Sequence, residues 1–225
     1  NHQDTSHLAH LLETYRHNYE RCIILSESLF SMTGSLSDLP TLSRIATQFN
    51  ADLLIDEAHS IGVYGPEGKG LCAAANLSPT FLIGTYGKAF GSSGAFIATS
   101  DYYADKIINT CRAFIYSTAP SIPSIAASHA ALNRMPALQK ERDHLNIVSD
   151  YFKSCLRLHN IPFQGDAHIV SVPFSGNDAV LTKQRHCANA NILVSAIRHP
   201  TVPKGHECLR FSLTAKHTHE MIDHV

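Results

Sequence analysis

The chain has almost no net charge: 18 Lys and Arg against 19 Asp and Glu leave −1. That balance gives no electrostatic footing for nucleic acid or an acidic membrane surface, and neither is expected as a partner. No apolar run reaches the length of a membrane span, and no segment resembles a signal peptide. The six cysteines, at positions 22, 72, 111, 155, 187 and 208, never form a C-x-x-C pair. This excludes a disulfide framework and a zinc ribbon, and the thiols read as the reduced thiols of a cytoplasmic protein. The 15 histidines invite a metal reading, but only His7/His10 and His217/His219 are close pairs. No Cys or carboxylate cluster completes either ligand set, so no metal site is expected. There is no internal repeat and no low-complexity tract. No G-K-[ST] follows a strand, which excludes a Walker phosphate loop, and Gly62, Gly65, Gly68 and Gly70 read as a tight surface loop.

What is present is enough for a core. The 225 residues are 44% hydrophobic, which suits two domains. The stretch from Ala51 to Ala98 organises the rest. In it Leu53-Leu54-Ile55 runs into Asp56, and Phe81-Leu82-Ile83-Gly84 runs into Thr85-Tyr86-Gly87-Lys88. Short continuous apolar runs of this kind suit parallel strands buried on both faces. Ligands of open parallel sheets bind beyond the carboxyl ends of the strands. Asp56 and Lys88, 32 residues apart, are then expected on one rim, separated by one crossover unit. An amine that can join an aldehyde, facing a carboxylate that can keep a pyridine nitrogen protonated, is the pair that pyridoxal 5'-phosphate (PLP) requires.

In chain order, residues 7–12 have a helical apolar pattern that Thr5 or Ser6 is placed to cap. Residues 22–25 read as a strand ending at Ser26-Glu27. Asp38 and Pro40 open a helix whose apolar face is Leu42, Ile45, Ala46 and Phe49. Strands follow at 53–55, 81–84 and 95–98. Asp101 is placed to cap a helix that continues through Cys111 and Phe114, and Pro123 opens another that ends or kinks at Pro136. A long helix is predicted over 137–158, with Leu145, Val148, Phe152, Cys155 and Leu156 buried. Beyond it come a strand at 169–172, a helix capped by Asn177-Asp178, strands at 192–197 and 208–213, and a last helix capped by Thr218. The chain opens on Asn1 and stops at Val225 inside a helical pattern, so it is expected to be part of a longer protein.

Five ordered motifs now stand out: D-E-A-H-S-x-G from Asp56, T-Y-G-K-A-F-G-S-S-G from Thr85, Y-S-T-A-P from Tyr116, A-I-R-H-P-T-V-P-K-G from Ala196, and L-R-F-S-L-T-A-K-H-T from Leu209. Together they resemble the α-oxoamine synthases. These are fold-type I PLP-dependent transferases that condense an amino acid with an acyl thioester and release carbon dioxide. The resemblance implies an α/β fold. Residues 1–136 are then part of a large PLP-binding domain with a mainly parallel sheet, and 137–225 a small C-terminal α/β domain. The last two motifs most resemble the biotin-pathway branch. That branch joins L-alanine to pimeloyl-CoA, or its carrier-protein equivalent, giving 8-amino-7-oxononanoate. A sister branch that uses glycine, or a non-catalytic dimerising subunit, stays open as an alternative.

The resemblance also implies roles. Lys88 matches the Schiff-base lysine, Asp56 the partner of the pyridine nitrogen, and His59 and Ser31 the groups beside the phenolic oxygen. Thr85 matches a hydroxyl on the cofactor phosphate. Thr118 matches one donated by the other subunit, which implies a homodimer with a shared active site. Arg198 matches the arginine that grips the amino-acid carboxylate, and Glu27 a residue lining the substrate pocket. The family's phosphate loop and the histidine that stacks on the pyridine match nothing in this chain, and Met32-Thr33-Gly34-Ser35 stands where an acidic M-D-G-D is frequent.

Overall fold

The computed structural model describes residues 1–225, which form two compact units. The first comprises Asn1–Leu29 and Ser37–Gln139; the second comprises Phe30–Leu36 and Lys140–Val225.

In the first unit a four-stranded sheet runs in the order β1 (Ile23–Glu27), β2 (Asp52–Asp56), β3 (Phe81–Thr85), β4 (Ala95–Thr99). The first three are parallel and β4 is antiparallel to β3. One face is covered by α1 (Thr5–Tyr15), α2 (Leu39–Gln48) and the short α3 (Leu71–Ala74). Ile24, Leu53 and Ile55 meet Leu12, Leu39, Leu42, Ile45 and Cys72 there. Each buried Leu or Ile contributes about 2 kcal/mol, so this layer, and not helix propensity, holds the short helices.

The other face departs from the expectation of strands buried on both sides. Ile23 and Leu25 on β1 are 52% and 69% exposed. On that side α4 (Asp101–Thr110) sets Tyr103 edge-on against Phe81, at 4.7 Å between ring centres, and its hydroxyl on Asp52, leaving β1 open.

The caps differ in part from those expected. Asp4, not Thr5 or Ser6, accepts from the His7 amide at 2.8 Å and caps α1. Asp38 accepts from the Thr41 amide at 3.1 Å, with Pro40 in the first turn of α2, as its sequence predicts. Asp101 does not cap α4. Ser100 precedes it, and the helix breaks at Cys111 before a further turn, α5 (Arg112–Ile115). α6 (Ile122–Arg134) is capped by Ser121 and ends in a 3-10 turn at Met135–Ala137, around Pro136.

The second unit holds α7 (Gln139–Leu158) and an antiparallel sheet of β5 (Ile169–Pro173), β7 (Cys208–Ser212) and β6 (Ser195–Ile197), in that order. α8 (Asn177–Asn189) connects β5 to β6. Leu145, Val148, Phe152 and Leu156 of α7 are buried as predicted; Cys155 is only partly so, and Arg142, Ser149 and Lys153 join them. β6 is shorter than its apolar run: it begins at Ser195, and Leu193 before it is fully exposed. Thr218 caps α9 (His219–Asp223) by accepting from the Met221 amide. Tyr151 donates to Asp223 at 2.5 Å, and that hydrogen bond to a carboxylate pushes the phenol up to about 12. Phe30–Leu36 is stitched to this unit. Asp166 receives the Leu36 amide, and Gly34 sits where a Cβ would lie 2.0 Å from the Ile169 carbonyl oxygen.

The α2 cap gives a direct test. Hydrogen bonds from Thr41 hold the Asp38 carboxyl below its ordinary value of 3.8. Its contribution is therefore present above that pH and lost as pH falls through the lowered folded value. Asp38→Ala is expected to cost about 1 kcal/mol in urea unfolding at neutral pH, with the gap from the parent chain narrowing as pH falls below the ordinary carboxylate value.

Candidate active site

The parallel register lines up three strand ends. Glu27 lies opposite Asp56, and Asp56 opposite Ile83, two residues before Thr85. Side chains alternate along a strand, so Glu27, Asp56 and Thr85 share the face opposite Ile24, Leu53 and Ile55. That face is the one free of the α1–α3 layer.

Asp56 is held at both sides. Its carbonyl accepts from the Ser28 amide at 2.9 Å, and the next amide, of Glu57, continues the ladder to the Ile83 carbonyl at 2.8 Å. One carboxylate oxygen accepts from the Ala58 amide at 2.7 Å, closing a tight turn. The other makes no hydrogen bond. His59 follows in the same turn and is partly buried.

Glu57, given no role by its sequence, is the anchor of this rim. It is fully buried. Its carboxylate accepts from Ser60, from Ser28 at 3.1 Å, and from the amides of Leu71 and Cys72 at 3.0 and 2.5 Å. Four donors offset the cost of burying the charge. The Gly62–Gly70 segment is tight, as expected, but not wholly a surface loop. Gly68 and Gly70 are buried, and a Cβ on Gly70 would lie 2.5 Å from the Glu57 carboxylate. Burial drives the Cys72 thiol well above the thiol range, and Glu57 adds to it, which makes Cys72 inert as a nucleophile at neutral pH.

Lys88 stands three residues beyond Thr85 in a turn that is fixed from several sides. Tyr86 donates to the Gly94 carbonyl and Ser92 to that of Tyr86, at 2.9 and 2.8 Å. The Ser92 hydroxyl reaches the Ser124 carbonyl at 2.8 Å. Phe90 is buried with Ile61 and Met135, and a Cβ on Gly62 would press on Ala89 at 2.6 Å. The backbone around Lys88 is thus pinned while its Nζ, exposed, makes no hydrogen bond or ion pair. The Thr85 hydroxyl donates to the Gly94 carbonyl at 3.1 Å and accepts from the Gly87 amide at 3.2 Å.

Three of the expected residues are carried by other elements. Thr118 is exposed on the connection between α5 and α6. Ser31 and Arg198 belong to the second unit. There the Ser31 carbonyl accepts from the Arg210 guanidinium at 2.5 Å, which makes Arg210 a brace for the Phe30–Leu36 segment. Arg198 follows β6 directly, exposed and without a side-chain hydrogen bond.

A family model, aminotransferase class I and II, matches residues 1–225. The chain belongs to that family. Among its relatives is a putative 8-amino-7-oxononanoate synthase of Haemophilus influenzae, 36% identical over 220 residues. The alignment covers 96% of this chain but 58% of the relative, so the chain spans a little over half the length of the curated relatives it matches. A serine palmitoyltransferase from S. paucimobilis, solved with bound PLP and myriocin, shares the fold with a TM-score of 0.88 at 22% identity, over 96% of this chain and 56% of that one. An 8-amino-7-oxononanoate synthase from Francisella tularensis gives 0.80 at 26% identity, over 94% and 63%. The α/β architecture expected from the motifs, that of the fold-type I enzymes in this family, is the one observed.

Glu57 offers the local test. Glu57→Ala leaves the Leu71 and Cys72 amides without their acceptor and takes the shared carboxylate from the Ser28 and Ser60 hydroxyls, which keep only each other and the residue-57 carbonyl, and is expected to cost about 3 kcal/mol. Thermal unfolding of the variant measures it; Glu57→Gln, which keeps one acceptor oxygen, is expected to lose less.

Proposed function

We propose that this chain carries the lysine, the ring-nitrogen carboxylate and the substrate arginine of a PLP-dependent acyltransferase. The reaction is decarboxylative condensation of an amino acid, L-alanine, with a pimeloyl thioester of CoA or carrier protein, giving 8-amino-7-oxononanoate for biotin synthesis. The observation that carries the reading is the shared rim. An uncommitted carboxylate oxygen of Asp56 and an uncommitted amine of Lys88 follow neighbouring parallel strands, with the Thr85 hydroxyl on the same side. That donor set fits PLP: a carboxylate for a pyridinium, an amine for an aldehyde, a hydroxyl for a phosphate.

When bound, the cofactor supplies an electron sink for charge developing at the amino acid's Cα. Asp56 keeps the pyridine nitrogen protonated, and its fixed backbone holds that carboxylate in place. Lys88 Nζ would hold the cofactor through its aldehyde, and the same amine, when free, would take the Cα proton. His59 and Ser31 donate toward the phenolic oxygen. Thr85 takes the phosphate, joined by Thr118 of a second copy. Arg198 receives the substrate carboxylate, which a guanidinium fork matches. Glu27 lines the substrate pocket at the end of β1. In the overall reaction Cα bonds to the acyl carbon as the acyl–sulfur bond breaks, the proton lost from Cα leaves with the thiol, and the carboxyl group departs as carbon dioxide while a proton takes its place on Cα.

A homodimer is part of this proposal. Phe114, Ile115, Tyr116, Ile122 and Ile125 flank Thr118 and are all exposed, an apolar patch suited to a second copy. No helix is long and apolar enough to cross a membrane. The similarity to 8-amino-7-oxononanoate synthases over nearly the whole chain favours alanine over the glycine-using sister reaction.

The protein, expressed with any flanking segment its gene encodes, is to be assayed with alanine or glycine against pimeloyl, succinyl and acetyl thioesters. Turnover with alanine and pimeloyl-CoA or its carrier-protein form is expected, and Lys88→Ala is expected to lower kcat at least about a thousandfold. Turnover confined to glycine would replace the substrate assignment. Unchanged turnover in Lys88→Ala would remove the mechanism.

A further inference from the structure

Arg198 has no side-chain partner, so whatever aims it must act through its backbone. On its N-terminal side the chain is held by the sheet, where Ile197 pairs with Cys208. On its C-terminal side the next residue, His199, is clamped by one side chain. The Asn177 amide donates to the His199 carbonyl at 3.2 Å, and its carbonyl oxygen accepts from the His199 amide at 3.1 Å. Asn177 is therefore not the helix cap its sequence suggested. Gly176 takes that place, and the Asn177 side chain is spent across 22 residues on His199.

Asn177 is in turn fixed from behind. Glu207, only 3% exposed, accepts from the Gly176 amide at 3.2 Å and from the Gly205 amide at 2.9 Å, both on one carboxylate oxygen. Its carbonyl accepts from the Phe174 amide at 2.8 Å. One buried side chain thus ties the residue before Asn177 to the far end of the loop that begins at Arg198. Backbone donors to this carboxylate hold its pKa below the ordinary carboxylate value.

We infer that Glu207 and Asn177 are positioning residues for Arg198, and that they set how tightly the enzyme holds the amino-acid carboxylate without touching the substrate. The inference rests on the reading of Arg198 given above. A group that only stabilised the fold would lower the amount of active protein and leave substrate affinity alone. A group that aims Arg198 would change the amino-acid KM selectively.

Three variants of the holoenzyme test this: Glu207→Gln, Asn177→Ala and Arg198→Ala. Each is to be assayed for KM of both substrates and kcat, with calorimetric titration of the amino acid as a readout independent of turnover. Glu207→Gln keeps the shape but replaces the charged acceptor. It is expected to raise the amino-acid KM and Kd about tenfold, with the thioester KM and kcat within about twofold. Asn177→Ala is expected to act in the same direction. The double variant is expected to show less than the product of the two effects, because both act on one loop. If Glu207→Gln does not fold, Asn177→Ala alone decides. A raised amino-acid KM in Arg198→Ala with no change in Glu207→Gln or Asn177→Ala overturns the positioning role and leaves Arg198 in place. No change in Arg198→Ala overturns the reading on which it rests. Unchanged KM values with less active protein in Glu207→Gln and Asn177→Ala would make the clamp merely structural.

Discussion

A buried carboxylate holds the rim together. Glu57 sits under the end of β2 with two hydroxyls and two backbone amides directed at it. It links the strand end to the start of α3 and forces the chain between to fold back through glycines that leave it room. Remove that acceptor and the Ala58–Ser60 turn, the Gly62–Gly70 segment and α3 lose their common point. The Lys88 turn is coupled to the same segment, through Gly62 against Ala89 and Phe90 beside Ile61. A side chain that performs no chemistry thus sets the backbone of two that we propose do.

The same division recurs in the second unit. Arg198 is exposed and without a partner, while Asn177 and Glu207 spend their hydrogen bonds on backbone around it. In both places the reactive group is left unsatisfied and its neighbours are over-satisfied. Pre-organising the backbone leaves the side chain free to bind something that is not protein, and less ordering is then needed on binding.

Local signals made much of this legible. Asp38 with Pro40 announced α2, and its apolar spacing named the buried face. The apolar runs ending in Asp56 and before Lys88 marked two parallel strands, and Thr218 marked the last helix. What could not be read depended on partners distant in sequence. Ser31 joins the second unit through Arg210, 179 residues away, and Leu36 through Asp166, 130 away. Asn177 looked like a cap because Asn often is one; only the return of the chain at His199 redirects it. The break at Cys111 carries no proline or glycine to announce it. Glu57 is one of many carboxylates until its four donors are brought round it. Strand order and hydrophobic period are local and repetitive, whereas a buried polar hub is a single long-range event with no period.

The central claim is that Lys88 is the residue that bonds PLP. The most direct measurement is borohydride reduction of the protein with added PLP, followed by peptide mass spectrometry. The account predicts a pyridoxyl adduct confined to the peptide that contains Lys88. Adducts spread across exposed lysines such as Lys69 and Lys106, with none favoured, would contradict it.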